Sequence, residues 1–435
     1  MTTKTFLPVL LAVLVIDLLC FTSILPLFPS IFEEYSKNKE QDWLYSKFES
    51  YASQLQNFIN IPVTSRYNNV VFAGILGSVF SFLQYLSSPF LGSLSDKYGR
   101  KLIFIISVVG SLISYMLWAF SSNFTIFTLS RITGGLSKAS VSIVITIVTD
   151  IYPPESRGKG MAYVGMSFSL AFMAGPMIGA FFSSRIHGAN INFYPALFSI
   201  ILTIIELFLI LFYLPETNKS KSSAENSANW KEYINPRSLI TFNILGPQLS
   251  SQLRIYGIVY FLYLFIYSGC EFTISFLTHQ RFGYTSADQG KMYFLTGILM
   301  MLIQGGFVRR IPKEKQKWGV MLGVATIIPT YIVMSLAFSQ TIFYISLILY
   351  AIASAMVVPC LTALVANICP EQQKGLCMGV FRSLGALSRA FGPLSGSILF
   401  WLLGPTAAYF VSGVLLCVPA LLFYRQLLNE TKKAA

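Results

Sequence analysis

The chain has 435 residues with a formal net charge of +13, and 54% of its residues are hydrophobic while only 11% are charged. Apolar stretches of about 20 residues, the length that crosses a hydrocarbon core, recur along the whole sequence and exclude an ordinary soluble enzyme. Twelve stretches fit this description, near residues 5–32, 68–91, 102–120, 124–149, 160–183, 193–214, 254–277, 289–308, 318–338, 341–367, 376–400 and 405–424.

The positive charges lie in alternate loops, so membrane topology explains the net charge. By the positive-inside rule, this pattern places both termini in the cytosol. A nucleic-acid partner is not expected, because alternate loops cannot form one soluble basic surface. The cations that carry the pattern are Lys97, Arg100, Lys101, Arg157, Lys159, Lys219, Lys221, Lys231, Arg237, Arg309, Arg310, Lys313, Lys315, Lys317, Arg425, Lys432 and Lys433.

The first apolar stretch carries Asp17 and ends in Pro26 and Pro29 without a small-residue cleavage site. It is also too long for a signal peptide, so we interpret it as an uncleaved first span. A carboxylate inside a membrane is costly and usually faces a cavity or a partner. Two interpretations of Asp17 stay open: a functional coupling or ion-pair site, and a structural pair with a basic residue of the fourth span.

Residues 33–66 form the longest loop outside the cytosol. Apolar side chains recur there at helical spacing, from Leu44 to Ile59, which predicts an amphipathic helix on the outer membrane surface or over a cavity mouth. Such a helix either controls access to the cavity or only packs against the spans.

The stretch from Gly92 to Lys101 is a basic loop between two spans and must turn tightly at the membrane surface. Gly92 and Gly99 allow a positive φ, so the backbone can reverse quickly. Asp96 can cap the helix that begins near Arg100, or can pair with a cation there.

The fourth span contains Arg131 and Lys138, whose spacing of seven residues places them on one face of a continuous helix, two turns apart. Since lipid exposure of two cations would be prohibitive, this face predicts a cavity prepared for negative charge. In the fifth span, Gly175 lets helices approach closely and Pro176 removes a backbone donor and bends the helix.

Residues 216–252 are polar and rich in Ser, Asn and Lys, which predicts a cytosolic linker between two halves. We expect an N-terminal six-helix bundle at 1–215, the linker at 216–252, a C-terminal six-helix bundle at 253–425 and a cytosolic tail at 426–435. Pro154-Glu155 recurs as Pro370-Glu371, at an offset of 371 − 155 = 216, and Gly175-Pro176 recurs as Gly392-Pro393, at 392 − 175 = 217. A repeat of six spans must be parallel about the membrane normal.

The seventh span carries Glu271, and the eleventh carries Arg382 and Arg389, again seven residues apart. Four cations within spans therefore stand against three acids, which are Asp17, Glu206 and Glu271. Even full pairing leaves one positive charge unmatched. A bound anion is the simplest way to balance such a cavity. Alternatively, Arg382 lies only a few residues into its span and is an anchor that reaches the cytosolic surface.

The cysteines show no zinc or redox spacing and are expected to be packing residues. They are Cys20, Cys270, Cys360, Cys369, Cys377 and Cys417, all in or beside spans. No Ser/His/Asp set, metal cluster or phosphate-binding loop is visible, so we expect neither an enzyme nor a metal or cofactor site.

Several of these motifs together resemble the major facilitator superfamily, and within it the drug:proton antiporters. The pattern Gly-x-Leu-x-Asp-x-x-Gly-Arg-Lys at 92–101 is similar to the signature loop of that family, and the resemblance covers nearly the whole chain. Further matches are Arg131 with Gly134 and Gly135, Gly175-Pro176 with Gly179, and Leu214-Pro215-Glu216-Thr217. The runs at 276–282, 289–292 and 382–387 resemble the animal tetracycline-transporter-like members, which are described as drug-exporter-type carriers of organic anions.

This resemblance implies an all-α membrane protein of twelve spans in two parallel, pseudo-repeated six-helix bundles, which works by alternating access. It implies that the 92–101 loop latches the cytosolic side through contacts of Asp96 with Arg100 and with the start of the eleventh span. It also implies that Glu155 interacts with Arg157, that Arg131 takes part in proton transfer, and that the Gly175-Pro176 motif belongs to antiport.

From the charges and the resemblance together, we expect a carrier of amphipathic organic anions or drugs that works by proton-coupled efflux. Arg131, Lys138, Arg389 and Arg382 are the candidate substrate-binding cations, and Tyr263 and Tyr350 are candidate aromatic walls. Asp17 and Glu271 are the candidate proton carriers, because burial favours the protonated form of a carboxyl group.

Two alternatives stay open, a lipid or lysolipid carrier and a non-transporting ligand sensor with a transporter fold. We expect a monomer in the lipid bilayer of the plasma membrane or of an internal membrane.

Overall fold

The computed structural model is built from α-helices, and the part of the chain that it describes contains no β-strand. It describes residues 3–24, 27, 31, 34–35, 42–58, 65–185, 192–218, 247–284 and 286–434. Pro26, Pro29 and most of the predicted linker, residues 219–246, lie outside these ranges.

The helices of the first half run up to residue 213. They are α1 (Thr3–Thr22), α2 (Trp43–Phe58), α3 (Ser65–Tyr98), α4 (Arg100–Ala119), α5 (Phe124–Ser137), α6 (Ser140–Ile151), α7 (Arg157–Arg185) and α8 (Phe193–Tyr213). Helix α2 is the predicted amphipathic segment. Asp42 caps it by accepting hydrogen bonds from the amides of Leu44 and Tyr45, and the same carboxylate accepts from Thr125 at the start of α5. This carboxylate therefore docks α2 onto the N-terminus of α5.

The second half consists of α9 (Pro247–Phe282), α10 (Ser286–Gly306), α11 (Gln316–Ser335), α12 (Gln340–Ile368), α13 (Lys374–Leu415) and α14 (Cys417–Ala434). Helix α9 begins several residues before the expected boundary at 253. The eleventh and twelfth predicted spans are joined without a loop, at a kink where Gly404 has a φ of 74°. Glycine adopts this left-handed conformation without the steric cost that a side chain would bring.

Nine helical segments of the described chain are long and apolar enough to cross a membrane, and α1 adds a shorter apolar helix at Phe6–Thr22. Large apolar side chains such as Phe212, Trp318 and Phe338 are exposed on the outside of the bundle, where a bilayer would cover them. The prediction of an all-α membrane protein is confirmed.

The internal repeat is visible in the caps and turns of the two halves. Asn123 caps α5 by accepting from the amide of Ile126, and Ser339, 339 − 123 = 216 residues later, caps α12 by accepting from Ile342. Single 3₁₀ turns at Pro154–Ser156 and Glu371–Gln373 then precede the long helices α7 and α13. The two halves therefore repeat not only their spans but also the local signals that start them.

The halves meet closely where α3 crosses α13 and where α7 packs on α10 and α12. A Cβ atom on Gly92 would overlap the carbonyl oxygen of Gly375, and one on Gly379 would lie close to the backbone of Ser88. Glycines thus bring the two helix backbones into contact, as small residues do between membrane helices. The role of Gly92 is this packing and not the predicted positive φ, since Gly99, Gly283 and Gly404 are the glycines with positive φ in the described chain.

The fourth span is broken in its middle. Helix α5 ends at Ser137 and α6 begins at Ser140, with Lys138 in a non-helical conformation at the break. The prediction that Arg131 and Lys138 share one face of a continuous helix is therefore wrong. The break instead turns the backbone of Lys138 towards neighbouring spans.

Neighbouring side chains satisfy the backbone groups that the break frees. The hydroxyl of Ser107 donates to the carbonyl of Ser137 at 2.6 Å and accepts from the amide of Ala139 at 3.2 Å, which also bonds to Ser137 across the turn. The side-chain amide of Gln84 donates to the carbonyl of Lys138 at 3.2 Å. Irregular backbone at membrane depth requires such partners.

Replacing Ser107→Ala should lower the free energy of unfolding by about 1–2 kcal/mol, because a buried donor and acceptor at the break are lost. Thermal unfolding of the detergent-solubilised protein measures this change. Ser111→Ala is the matched control, since its hydroxyl donates to the Ser107 carbonyl of its own helix and bonds to no backbone group of the break in the described chain. Equal destabilisation by both variants would contradict the assigned role of Ser107.

Candidate functional site

The end of the bundle that holds the 92–101 loop, called the basic end below, is closed by contacts between the two halves. The carboxylate of Asp96 accepts hydrogen bonds from the backbone amides of Gly375 and Leu376, both at 2.8 Å, in the first turn of α13. It also pairs with Arg100 at 2.5 Å. Amides at a helix N-terminus have no partner within the helix, so a carboxylate there binds them well. These are the contacts that the family resemblance implies for Asp96.

Arg100 and Glu216 fix the other side of this loop. The guanidinium of Arg100 also reaches Asp150, with Nε 3.2 Å from Oδ2. The cap of α4 is Glu216, and not Asp96 as the sequence allowed, because its carboxylate accepts from the amides of Arg100 and Lys101 at 3.0 and 3.1 Å. Gly99, the residue directly before α4, has a φ of 108°, and a side chain at this position would collide with the carboxylate of Glu216.

The predicted interaction between Glu155 and Arg157 is wrong. Glu155 is exposed, whereas the guanidinium of Arg157 crosses the interface and donates to the Ala366 carbonyl at 3.0 Å and to the Asn367 side chain at 3.1 Å. It also pairs with Glu371 at 3.2 Å. The carbonyls in the last turn of α12 lack helical partners, so a cation is favourable there.

Glu371 is the repeat equivalent of Glu155, and it joins Arg157 to Lys374. The ammonium of Lys374 lies 2.5 Å from Glu371 and 3.9 Å from Asp150. Partial burial raises the pKa of Glu371, but Lys374 and Arg157 outweigh burial, so the pKa lies below its usual value. The carboxylate therefore stays charged at neutral pH, and its ion pairs weaken only as the pH falls towards that lowered pKa.

The Gly175-Pro176 motif lies within the first half. A Cβ atom on Gly175 would overlap the hydroxyl of Thr22, which donates to the Ala171 carbonyl at 3.1 Å. This motif therefore holds α7 against the end of α1, close to the residues described next.

Inside the first half, Asp17 forms a buried ion pair with Lys138. Lys138 Nζ lies 2.5 Å from Asp17 Oδ1, and the hydroxyl of Ser140 donates to Asp17 Oδ2 at 2.7 Å. The pairing of Asp17 with a basic residue of the fourth span is thus the interpretation that the geometry supports. Because Asp17 already neutralises Lys138, this arrangement does not support Lys138 as a ligand of a substrate anion.

Arg131 has no carboxylate partner among the described residues. Its guanidinium lies 5.5 Å from the ring centres of Trp118 and Phe127, and its Nη2 atom is buried without a hydrogen-bond partner in the described chain. Such a cation is partly stabilised by the faces of aromatic rings. It borders a small cavity that is lined by Phe21, Phe80, Ser111, Ser114, Tyr115, Arg131, Gly134 and Lys138.

Glu271 lies beside a stack of tyrosine rings in the second half. The Tyr267 hydroxyl is 3.5 Å from Glu271 Oε1, and the Tyr350 hydroxyl donates to that of Tyr267 at 2.5 Å. The Tyr267 ring stacks on Tyr350 at 5.4 Å and on Tyr263 at 5.6 Å. The sequence interpretation missed Tyr267, although its position four residues before Glu271 puts both on one helical face.

Arg382 lies at the interface between the halves, so the alternative of a surface anchor is wrong. It is 7% exposed, donates to the Tyr260 hydroxyl at 3.2 Å and lies 5.6 Å from the ring centre of Phe168 in α7. Arg389 is half-buried and interacts electrostatically with Arg382 and Glu271. Neither arginine forms an ion pair with a carboxylate among the residues that the structure describes.

The family model described as "Major Facilitator Superfamily" matches residues 10–393 and 339–434. The chain belongs to the major facilitator superfamily. It is 38% identical over 423 residues to "Major facilitator superfamily domain-containing protein 10" of Mus musculus, and the alignment covers 95% of this chain and 91% of that protein. It is 24% identical over 328 residues to "Tetracycline resistance protein, class B" of Escherichia coli, and the alignment covers 75% of this chain and 78% of that protein.

Solved structures agree with this assignment. The crystal structure of the human organic anion transporter MFSD10 (TETRAN) matches with a TM-score of 0.89 at 37% identity and covers 97% of this chain and 99% of that one. The proton:xylose symporter XylE matches with a TM-score of 0.71 at 14% identity, covers 97% of this chain and 96% of that one, and shows the fold alone. As a major facilitator protein, the chain is a multi-pass membrane transporter and not an enzyme, as the sequence predicted.

Two cysteines differ from the sequence interpretation. Cys369 and Cys377, at the ends of α12 and α13 that meet beside Glu371, form a disulfide, whereas we expected only packing residues. Their separation of eight residues spans a tight turn, which brings the two side chains together. Cys20, Cys270 and Cys360 are buried free thiols, as packing residues would be.

Replacing Asp96→Asn should open the basic end of this major facilitator transporter. The neutral amide loses the charge that binds Arg100 and the α13 amides, and breaking a buried pair costs about 3–5 kcal/mol. Hydrogen exchange at Gly375 and Leu376, followed by mass spectrometry, should accelerate at least tenfold. Glu155→Gln is the control and should leave exchange unchanged; an Asp96→Asn protein with native exchange would remove the assigned latch.

Proposed function

We propose that this major facilitator transporter carries amphipathic organic anions or drugs by alternating access, in proton-coupled efflux. The observation that carries the proposal is the pair Arg382 and Arg389, two cations without carboxylate partners in the described chain. They lie in α13, which packs on the first half through α3 and α6. Substrate sites of this fold lie at such an interface near the middle of the membrane.

The charge balance supports an anionic substrate. Of the four cations within the spans, Lys138 has a carboxylate partner among the described residues. Arg131 faces aromatic rings, Arg382 donates to a tyrosine hydroxyl, and Arg389 interacts electrostatically with Glu271 without forming an ion pair with it. An uncompensated cation in a medium of low dielectric is costly, and its field favours a negative ligand. We therefore assign the substrate to Arg382 and Arg389, and no longer to Lys138.

The aromatic side chains beside Glu271 and Arg382 support an amphipathic substrate with a flat or apolar body. Tyr263, Tyr267 and Tyr350 form a ladder of stacked rings, and Phe168 faces Arg382 from the opposite half. Binding sites for small organic molecules combine apolar walls with a few polar groups that fix orientation. A carboxylate or sulfonate beside an arginine, with its ring system on the tyrosines, matches this arrangement.

The similar proteins favour the same substrate class. The solved relative is described as an organic anion transporter, and the bacterial relative as a tetracycline resistance protein. At 37% identity over nearly the whole chain, the first of these is the stronger support for organic anions.

Glu271 is our first candidate for proton coupling. It accepts a hydrogen bond from Tyr267 and interacts electrostatically with Arg389, so its protonation changes the charge next to the proposed substrate. Asp17, the other predicted carrier, is held by Lys138 and Ser140 in this state. A change in the protonation of Glu271 would therefore change how strongly Arg389 attracts an anion.

We further propose that the basic end and both termini face the cytosol, as the positive-inside rule predicts. With Asp96 and Arg157 closing that end, the site would then be open to the opposite side of the membrane or closed to both sides.

The boundaries near 215 and 253 between the two bundles, and a monomeric state, remain predictions.

Replacing Arg389→Gln should lower the transport efficiency for an organic anion about tenfold, equivalent to ~1.4 kcal/mol, because one unpaired positive charge at the site is lost. A neutral analogue of the same shape should be affected less than twofold. Initial rates in proteoliposomes measure both. The exposed Arg310→Gln is the matched control for loss of a charge, and equal loss for both substrates would contradict recognition by charge.

Replacing Glu271→Gln should abolish the response of transport to an imposed pH gradient, because the amide cannot exchange a proton. Exchange of labelled for unlabelled substrate without a gradient should persist, since it needs no net proton movement. Anion accumulation in proteoliposomes with and without the gradient measures this split. A variant that still follows the gradient would exclude Glu271 as the coupling carboxyl.

The same vesicles separate the two alternatives. Binding without any exchange flux would indicate a ligand sensor. Movement of lysolipids in preference to soluble organic anions would indicate a lipid carrier.

A further inference from the structure

Glu206 is a buried acid of α8 that the proposed function leaves without a role. It is 1% exposed, and its Oε1 atom is buried without a hydrogen-bond partner in the described chain. Its side chain forms no ion pair with a described cation, whereas Asp17 has both of its oxygens occupied by Lys138 and Ser140. Asp17 is therefore neutralised by a cation, whereas Glu206 has no such partner among the described residues.

Among the residues that the structure describes, no second cation forms an ion pair with Glu206 in place of Lys138. Helix α8 packs mainly against α1 and α4. Thr203, one turn before Glu206, donates to Cys20 Sγ at 3.9 Å. Asp17 lies one turn before Cys20 on α1, so Asp17 and Glu206 lie side by side where the two helices pack. The titratable groups near Glu206 are therefore Asp17, Cys20, Tyr115 of α4 and Lys138, which is bound to Asp17. Of these, Lys138 alone is a cation. An ionised Glu206 would therefore add an uncompensated negative charge beside Asp17.

We propose that Glu206 is a proton-holding site of the first half, and that Lys138 selects which of the two acids, Asp17 or Glu206, is ionised. Burying a lone carboxylate costs far more than burying the neutral acid, and two neighbouring acids cannot both ionise at low cost. In this state Lys138 binds Asp17, so the proton resides on Glu206. If Lys138 turned to Glu206, the O–H bond of Glu206 would break and its proton would pass to water on one side of the membrane. Asp17 would take up a proton from water on the other side, so that one proton crosses.

The position of Lys138 makes such a switch feasible. It lies at the break between α5 and α6, where its backbone is held by side chains and not by a continuous helix. Lys138 also lines the small cavity beside Arg131, which leaves some space next to the pair. The contribution of this proton to transport rests on the proposed proton coupling, but its location on Glu206 does not.

Infrared spectroscopy of the full-length protein in lipid vesicles tests the location. A protonated buried carboxyl gives a carbonyl band separate from those of amides and carboxylates. The Glu206→Gln variant should lose one such band at neutral pH, whereas Thr203→Val, one turn away in α8, should keep it. An unchanged band in Glu206→Gln would overturn the proposal.

Asp17→Asn tests the selection by Lys138 and keeps Glu206 in place, so it also serves if Glu206→Gln does not fold. With Asp17 neutral, Lys138 is free to pair with Glu206, which should ionise and lose the same band. Retention of the band in Asp17→Asn would show that Lys138 does not control Glu206.

A transport measurement connects the site to coupling. In vesicles with an entrapped pH dye, the proton movement that an organic anion causes should fall at least tenfold in Glu206→Gln, while substrate exchange stays within twofold of the unmodified protein. Undiminished proton movement in the variant would overturn the role in coupling. If the unmodified protein itself moves no protons, the proposed function is wrong on this point, and the infrared band alone decides where the proton resides.

Discussion

A charged side chain in the hydrocarbon region is costly unless it finds a partner, and the buried charges of this transporter meet that cost in different ways. Lys138 has a carboxylate, Arg131 has aromatic ring faces, and Arg382 has a hydroxyl and the ring of Phe168 from the other half. Of the cations without a carboxylate partner in the described chain, Arg382 lies where the halves meet, whereas Arg131 lies inside the first half. Charge compensation therefore links the internal packing to the substrate that we propose.

Closure of the basic end follows the same rule with different partners. There the carboxylate of Asp96 binds backbone amides at the start of α13, and the guanidinium of Arg157 binds a backbone carbonyl at the end of α12. The latch therefore contacts the helix backbones directly. Contacts with backbone ends form only when the two halves are correctly aligned. This explains how a short loop can hold one conformation of a large bundle, and why its charged residues act together with the glycines that let the backbones meet.

The sequence predicted much of the site but not its pairings. Hydropathy and the 92–101 motif were sufficient for the fold, and the contacts of Asp96 followed from the family pattern. The break at Lys138 was not predicted. Gly134 and Gly135 stand shortly before it but are part of α5, and the stability of the break comes from Ser107 and Gln84 on other helices. The partner of Arg157 was likewise misassigned to Glu155, since only the meeting of the halves brings Glu371 within reach.

The sequence by itself determined that this is a twelve-span carrier with more cations than acids inside the membrane, because the apolar runs and charge counts are local properties of the chain. Only the tertiary structure decided which charges are neutralised within the protein and which have no carboxylate partner among the described residues. Ion pairs such as Asp17 with Lys138 join residues more than a hundred positions apart. Their formation depends on how helices cross, and no spacing along one helix encodes that.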